Sequence, residues 1–207
     1  MTDDPFDEAE LDALMAEEEE ADRQAAQLLR EALADWRGVA VPPDLAAAAE
    51  RARDGLAGGA QPFAWVRAAA GLGDSLPADD AELIVAAVEA TISPREETGL
   101  DAEEESLLLT LERADWLGAV VELVRAGPGA SGRPDDLVAA IHRCPEVAVA
   151  PDVDPDDDAL TEAVFELVTE AWVALGLLDR RERLTPLGAW ALPRGLARAW
   201  GSNFDEA

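Results

Sequence analysis

Apolar residues recur along most of the chain at the spacing of an α-helix. The two longest stripes lie in the second half, with apolar side chains three or four positions apart. The first stripe contains Trp116, Leu117, Val120, Val121 and Val124, and the second contains Leu160, Val164, Leu167, Val168, Ala171 and Leu175. Residues at this spacing share one face of a helix. The pattern therefore predicts a mainly helical, all-α fold.

Proline, glycine and acidic residues mark where these helices begin and end. Proline and acids suit the first turn of a helix, and glycine suits the position after the last turn. These signals predict helices at 42–59, 62–71, 77–90, 101–127 with a break near Asp115, 133–144, 156–176, and 189–201 with an interruption at Pro193. Residues 1–37 form an acidic segment that is helical or partly disordered.

The segment after Gly176 reads LLDRRERLTPLG, in which a charged turn separates two short apolar pieces. This pattern predicts one small β-hairpin, which is too short to be stable without the rest of the fold. Gly176 suits the end of the preceding helix, and Thr185 with Pro186 suits the start of the next.

The order of elements in residues 115–201 resembles a winged helix-turn-helix domain: helix, helix, longer helix, hairpin, helix. The resemblance is carried by LGLL (175–178) and LTPLG (184–188), which are similar to the end of the third helix and the return strand of a wing. It implies DNA binding through the third helix and the basic wing tip. The expected regions are an acidic segment 1–37, a helical region 38–114, a winged-helix-like domain 115–201 and a tail 202–207.

The charge of the third predicted helix argues against DNA as the ligand. Residues 156–175 contain six acids and no basic residue, whereas residues 176–201 contain five arginines and two acids, a net charge of +3. Since the whole chain carries −29, the rest of it, −29 less +3, carries −32. Phosphates repel such a surface. We therefore expect no nucleic acid partner, and expect the arginines to pair with carboxylates of this protein or of a partner.

Composition adds expectations about location and assembly. The chain has 45 acidic residues against 16 basic ones, all of them arginine, and it lacks tyrosine, a bias typical of a GC-rich bacterial genome. Its first residues are acidic where a secretory signal is basic, and no long uncharged apolar run occurs. We expect a cytoplasmic protein that is monomeric by default and has no membrane partner. A single cysteine, Cys144, excludes an internal disulfide.

Two motifs match ligand-binding patterns only in part. Four aspartates occupy alternate positions of a calcium loop, namely Asp152, Asp154, Asp156 and Asp158. Asp157 and Ala163 stand where that loop needs glycine and a bidentate glutamate, so a solvated acidic linker is the better interpretation. GPGASG (127–132) has the three glycines of a dinucleotide fingerprint, but it follows a helical pattern instead of a strand. We expect no cofactor and no metal.

Catalytic residues are not indicated either. His142 and Cys144 are the only histidine and cysteine, and side chains two positions apart on a helix point away from each other. A buried cysteine that packs as a small apolar residue is the simpler interpretation. We expect no enzymatic activity.

The residues expected to bind a partner follow from charge and expected exposure. They are Arg180, Arg181 and Arg183 at the hairpin turn, Trp190 and Trp200 beside it, and the acids Glu162, Glu166 and Glu170 on the preceding helix. Core packing is the simpler interpretation for both tryptophans, and an exposed interface with the arginines is the alternative.

We expect a non-catalytic interaction module that binds the basic surface of a protein partner. Two alternatives stay open. One is a winged-helix transcription regulator whose wing contacts DNA, and the other is a DNA-mimic inhibitor of a nucleic-acid-binding protein.

Overall fold

The computed structural model describes residues 27, 30–36, 38–73, 75–94, 98–145, 147 and 155–200, without the side chains of 155–157. Within this part of the chain, helix dominates and the prediction of a mainly helical fold is confirmed. A 3₁₀ helix covers Ala34–Trp36, and the α-helices are α1 (Leu45–Gly58), α2 (Phe63–Ala69), α3 (Asp80–Ile92), α4 (Ala102–Leu108), α5 (Arg113–Ala126), α6 (Pro134–Arg143), α7 (Pro155–Leu175) and α8 (Pro186–Ala199).

Helix α8 is the most deeply buried of the helices described, since every residue from 187 to 197 is buried. It packs most extensively against α3 and also against α5, while α7 contacts α4, α6 and α1. One cluster of buried side chains runs through these helices and includes Trp65, Phe165 and Trp172. Helices on both sides of Asp115 therefore share a single core.

Several helix ends confirm the boundaries predicted from capping residues. Gly59 and Gly176 follow α1 and α7 with φ angles of 68° and 80°, a left-handed conformation that glycine adopts easily. The Thr185 hydroxyl accepts a hydrogen bond from the Gly188 amide at 3.0 Å and so caps α8. Helix α3 begins at Asp80, three residues after the predicted start at 77, because the Asp79 carboxylate caps it by accepting from the Glu82 amide at 2.8 Å. These local signals place one end of each of the four helices.

The long helical run at 101–127 is broken slightly earlier than predicted. Helix α4 ends at Leu108 and α5 begins at Arg113. The Asp115 carboxylate accepts a hydrogen bond from the Glu112 amide at 2.9 Å, which stabilises the new N-terminus. Asp115 therefore marks the first turn of α5, and the break lies just before it.

The predicted interruption at Pro193 is wrong, because α8 continues through it to Ala199. Proline removes one backbone donor from a helix and crowds the preceding turn. The Arg194 guanidinium donates to the Trp190 carbonyl at 2.9 Å, which supplies a donor in that turn. Burial of α8 between α3 and α5 favours the continuous helix.

The described residues contain no β-sheet, and the segment predicted as a hairpin has only isolated bridges. Leu178 pairs with Leu184, and Ser131 pairs with Arg183, each in antiparallel orientation. The Asp179 amide donates to the Arg183 carbonyl at 2.8 Å, and the Gly132 amide donates to the Glu182 carbonyl at 2.7 Å. The first bond closes the tight turn after α7, and the second joins that turn to the connection between α5 and α6.

None of the helices in the described ranges combines the length and the apolar character needed to span a membrane.

Candidate functional site

A groove of about 570 Å³ runs along the exposed side of α7. Its other walls are the start of α6 and the turn formed by residues 179–183, which we call the arginine turn. We call this cavity the acidic groove. Its charged lining residues are Arg133, Asp135, Glu162, Glu166, Glu170, Arg180 and Glu182.

Helix α7 presents a stripe of glutamates to the acidic groove because its opposite side is buried. Val164 and Val168 are fully buried in the core, whereas the three glutamates are exposed. The stripe consists of Glu162, Glu166 and Glu170. A rise of 1.5 Å per residue places successive members about 6 Å apart along the helix axis. Thr169, beside the stripe, is satisfied internally, since its hydroxyl donates to the Phe165 carbonyl at 2.7 Å.

This glutamate stripe has no cationic partner on the described part of the chain, where no ion pair involves any of its three members. Like charges four positions apart on a helix destabilise it by about 0.2–0.5 kcal/mol per pair. The stripe therefore opposes the stability of α7 instead of supporting it.

The net charge of the acidic groove is negative. Five carboxylates and two guanidinium groups line it, so its formal charge is −5 plus +2, or −3. Arg133 and Asp135 pair with each other at 3.1 Å. Their shared hydrogen bond raises the pKa of Arg133 and lowers the pKa of Asp135. The groove charge that remains after this pairing comes from the glutamate stripe, Glu182 and Arg180.

The arginine turn is held together by the carboxylate of Asp179. One carboxylate oxygen accepts hydrogen bonds from the amides of Arg181 at 2.7 Å and Arg183 at 3.0 Å. The bonds from Arg183 and then Arg181 lower the pKa of Asp179 below its usual value. Glu182 completes the turn with a φ of 56°, in the left-handed region.

The three predicted arginines differ in what they do. Arg180 and Arg181 are exposed, and neither side chain forms an ion pair or hydrogen bond within the described ranges. Arg183 instead donates to the Gly129 carbonyl at 3.2 Å, beside the bridge that its backbone forms with Ser131. Arg183 therefore holds the α5–α6 connection against the turn, while Arg180 alone of the three lines the acidic groove.

The placement of Trp190 on an exposed interface is wrong. Its side chain is 3% exposed, and the Arg194 guanidinium lies 4.7 Å from the ring centroid. Helical periodicity could not show this, because α8 is buried on all sides and presents no solvent face near Trp190. Trp200, at the end of α8, is half-buried and packs against the core. Neither tryptophan lines the acidic groove.

The structure places the remaining sequence motifs at the end of α6 and in the connection between α5 and α6. Cys144 is 2% exposed, which confirms its packing as a buried residue. The His142 imidazole lies 2.9 Å from the Asp158 carboxylate and joins the end of α6 to the start of α7. Helix α5 precedes the glycines of GPGASG, so the dinucleotide fingerprint lacks its strand. No group of metal-ligating side chains occurs among the described residues.

Part of the calcium pattern lies outside the described residues, namely Asp152 and Asp154, and the side chain of Asp156 is not described either.

A second ionic cluster, not predicted from the sequence, joins α3 to the end of α8. Arg198 pairs with Glu82 at 2.5 Å and with Glu89 at 2.7 Å. Burial opposes the charge on Arg198, but the bond to Glu82 and the charge of Glu89 raise its pKa. A small cavity of about 110 Å³ lies beside this cluster. Since one guanidinium bridges both carboxylates, the arrangement fits a structural clamp between two helices.

The chain matches no protein-family model, no curated protein and no solved structure.

Proposed function

We propose that this protein is a non-catalytic interaction module whose acidic groove binds the basic surface of a protein partner. The observation that carries the proposal is the glutamate stripe, Glu162, Glu166 and Glu170, which lines the acidic groove and forms no ion pair in the described ranges. A basic partner would relieve the repulsion within the stripe, and the negative field of the chain would speed its approach.

We also propose that α5–α8 form a winged-helix-like unit. Support comes from the order of the elements: α5, an extended connection, α6, the long α7, the arginine turn and α8. Support also comes from two antiparallel bridges. One pairs Leu178 with Leu184 across the arginine turn, and the other pairs Arg183 with Ser131 in the α5–α6 connection, an order that fits a small three-stranded wing. The Leu184 amide also donates to the Ala130 carbonyl at 2.8 Å, which adds to that pairing.

The winged-helix resemblance implies DNA on the third helix and the wing, which here are α7 and the arginine turn. The acidic groove lies between these two elements, and its formal charge of −3, five carboxylates against two arginines, favours a cationic ligand. Phosphates spaced along a duplex would meet the glutamate stripe over its whole length. A protein partner is therefore favoured over nucleic acid.

A non-catalytic role agrees with the exposure of the glutamate stripe. Catalytic carboxyl groups usually act in a closed site from which water is excluded. Glu162, Glu166 and Glu170 instead lie exposed on one open face of α7.

Affinity capture from a native cell lysate with matched variants tests the proposal. The groove variant carries Glu162→Gln, Glu166→Gln and Glu170→Gln. The control variant carries Asp44→Asn, Glu50→Gln and Asp54→Asn, which remove the same charge from exposed positions within α1 and just before it. We expect the wild type and the control to retain the same basic proteins, and the groove variant to lose them.

Equal retention by all three proteins would contradict the proposal, because the groove glutamates would then not be needed for binding. Equal loss by both variants would also contradict it, because only the total charge would then matter. Competition by duplex DNA for a retained protein would identify that partner as nucleic-acid-binding and favour the DNA-mimic alternative. Direct and salt-sensitive binding of duplex DNA to the isolated chain would favour the transcription regulator.

A further inference from the structure

The arginine turn presents two cations beside the acidic groove in a fixed arrangement. The Asp179 carboxylate holds the amides of Arg181 and Arg183, and the bridge between Leu178 and Leu184 closes the turn. Arg183 ties the turn to Gly129. The backbone that carries Arg180 and Arg181 is therefore ordered before any partner binds, which lowers the entropy lost on binding.

The two arginines are available to a ligand from outside the chain. Both side chains are exposed, and neither forms an ion pair or side-chain hydrogen bond in the described ranges. Guanidinium groups bind carboxylates and phosphates through two parallel hydrogen bonds. Arg180 lies at the rim of the acidic groove, within the same concave surface as the glutamate stripe.

We infer that the partner presents a bipolar surface, with basic side chains opposite the glutamate stripe and a pair of carboxylates opposite Arg180 and Arg181. This inference rests on the proposed function and adds the partner's charge pattern to it. The glutamates attract the partner, while the arginines fix its orientation, because a partner docked in the reverse direction would place like charges together.

A protein carboxylate fits this surface better than a phosphate does. One strand of a nucleic acid carries a phosphate about every 3.4 Å along the duplex axis. A strand bound at the arginine turn would therefore continue along the stripe as unbroken negative charge. A protein surface can carry basic and acidic side chains side by side, so one partner can satisfy both elements together.

Three synthetic peptides test the inference by fluorescence anisotropy at low salt. The basic probe is four Lys-Gly repeats. The bipolar probe adds Gly-Gly-Glu-Glu to its end, and the scrambled probe has the composition of the bipolar probe with the glutamates between lysines. We expect the bipolar probe to bind about two- to fivefold more tightly than the scrambled probe, the gain typical of a few exposed ion pairs.

Matched variants assign that preference to residues. Arg180→Gln with Arg181→Gln should abolish the difference between the bipolar and scrambled probes. The control, Arg51→Gln with Arg143→Gln, removes two exposed arginines that do not line the acidic groove and should preserve the difference.

Each contrary result identifies which claim fails. Equal binding of bipolar and scrambled probes by the wild type would overturn the inference, even if the variant lacking the three glutamates binds both probes more weakly. Unchanged affinity of that glutamate variant for all probes would overturn the proposed function as well. Binding of duplex DNA that is lost with Arg180→Gln and Arg181→Gln would assign the arginines to phosphate and overturn the inference.

Discussion

At the scale of single residues, the arginine turn depends on its one aspartate. Asp179 is exposed, yet its carboxylate accepts two backbone amides that would otherwise point into the open turn. Aspartate followed by polar residues is a common turn signal, so this role was accessible to sequence reasoning. The roles of the arginines could not be predicted from the sequence. Arg183 reaches the Gly129 carbonyl only when the connection between α5 and α6 packs against the turn.

The lowered pKa of Asp179 gives a prediction about pH. A carboxyl group whose pKa is lower in the folded protein than in the unfolded chain stabilises the fold. This stabilisation is complete at pH values above the pKa in the unfolded chain, about 3.9, and it is lost as the pH falls through the pKa in the folded protein. We expect the Asp179 carboxyl, followed by NMR, to titrate below about 3.9. A midpoint at or above that value would contradict the hydrogen bonds described.

Removing the Asp179 carboxylate should loosen the turn. Asp179→Ala leaves the amides of Arg181 and Arg183 without their acceptor, so both should exchange with solvent hydrogen faster. Asp179→Asn is the control, since its amide oxygen still accepts and should preserve most of the protection. Unchanged exchange in Asp179→Ala would show that the bridges alone hold the turn.

At the scale of elements, helix boundaries were predictable and helix surroundings were not. Capping residues such as Thr185 and Gly176 act within one turn, so the sequence carries their signal directly. Trp190 is buried because α3 and α5 cover both sides of α8. Both of these helices are distant from α8 in the chain, so the sequence around Trp190 does not show the contact. The sequence predicted four lining residues of the acidic groove, namely Arg180 and the three glutamates. Arg133 and Asp135 were missed, because the start of α6 meets α7 only in the folded protein.

The glutamate stripe should weaken α7 in the absence of a partner. Glu166 has a like charge four positions away on each side, so Glu166→Gln removes two repulsive pairs and should stabilise the fold by about 0.4–1 kcal/mol. Glu170→Gln removes only the pair with Glu166, since Ala174 stands four positions further on, and should give about half that gain. Urea unfolding measures both changes. A destabilised Glu166→Gln variant would indicate an attractive partner for Glu166 and would contradict the account of the stripe.

The contact between α3 and α8 should be sensitive to small changes in volume. A Cβ atom at Gly195 would lie 2.2 Å from the Cγ1 atom of Val88. Gly195→Ala should therefore destabilise the protein by about 1–3 kcal/mol, the range for overpacking a core. Gly58→Ala in the last turn of α1 is the control, because its Cβ meets nothing within 4 Å. A Gly195→Ala variant as stable as the wild type in thermal unfolding would show that the helices separate easily.

At the scale of the whole molecule, the net negative charge should affect stability independently of the acidic groove. A net charge of −29 repels itself in the folded state, and salt screens that repulsion. We expect the melting temperature to rise with sodium chloride concentration, by about 2–4 °C for each kcal/mol of repulsion relieved. A melting temperature that falls on adding salt would show that attractive ion pairs, such as those of Arg198, dominate instead.

Our central proposal is that the acidic groove, and not the overall charge, binds a basic protein surface. The most direct measurement is an NMR titration of the isotopically labelled protein with the basic probe, followed at every assigned amide. We expect the largest shift changes along α7 from Glu162 to Val173 and in residues 179–183, with loss of those changes in the variant lacking the three glutamates. Equal shift changes on acidic positions of α1 and α4, such as Glu50 and Glu103, would contradict the claim.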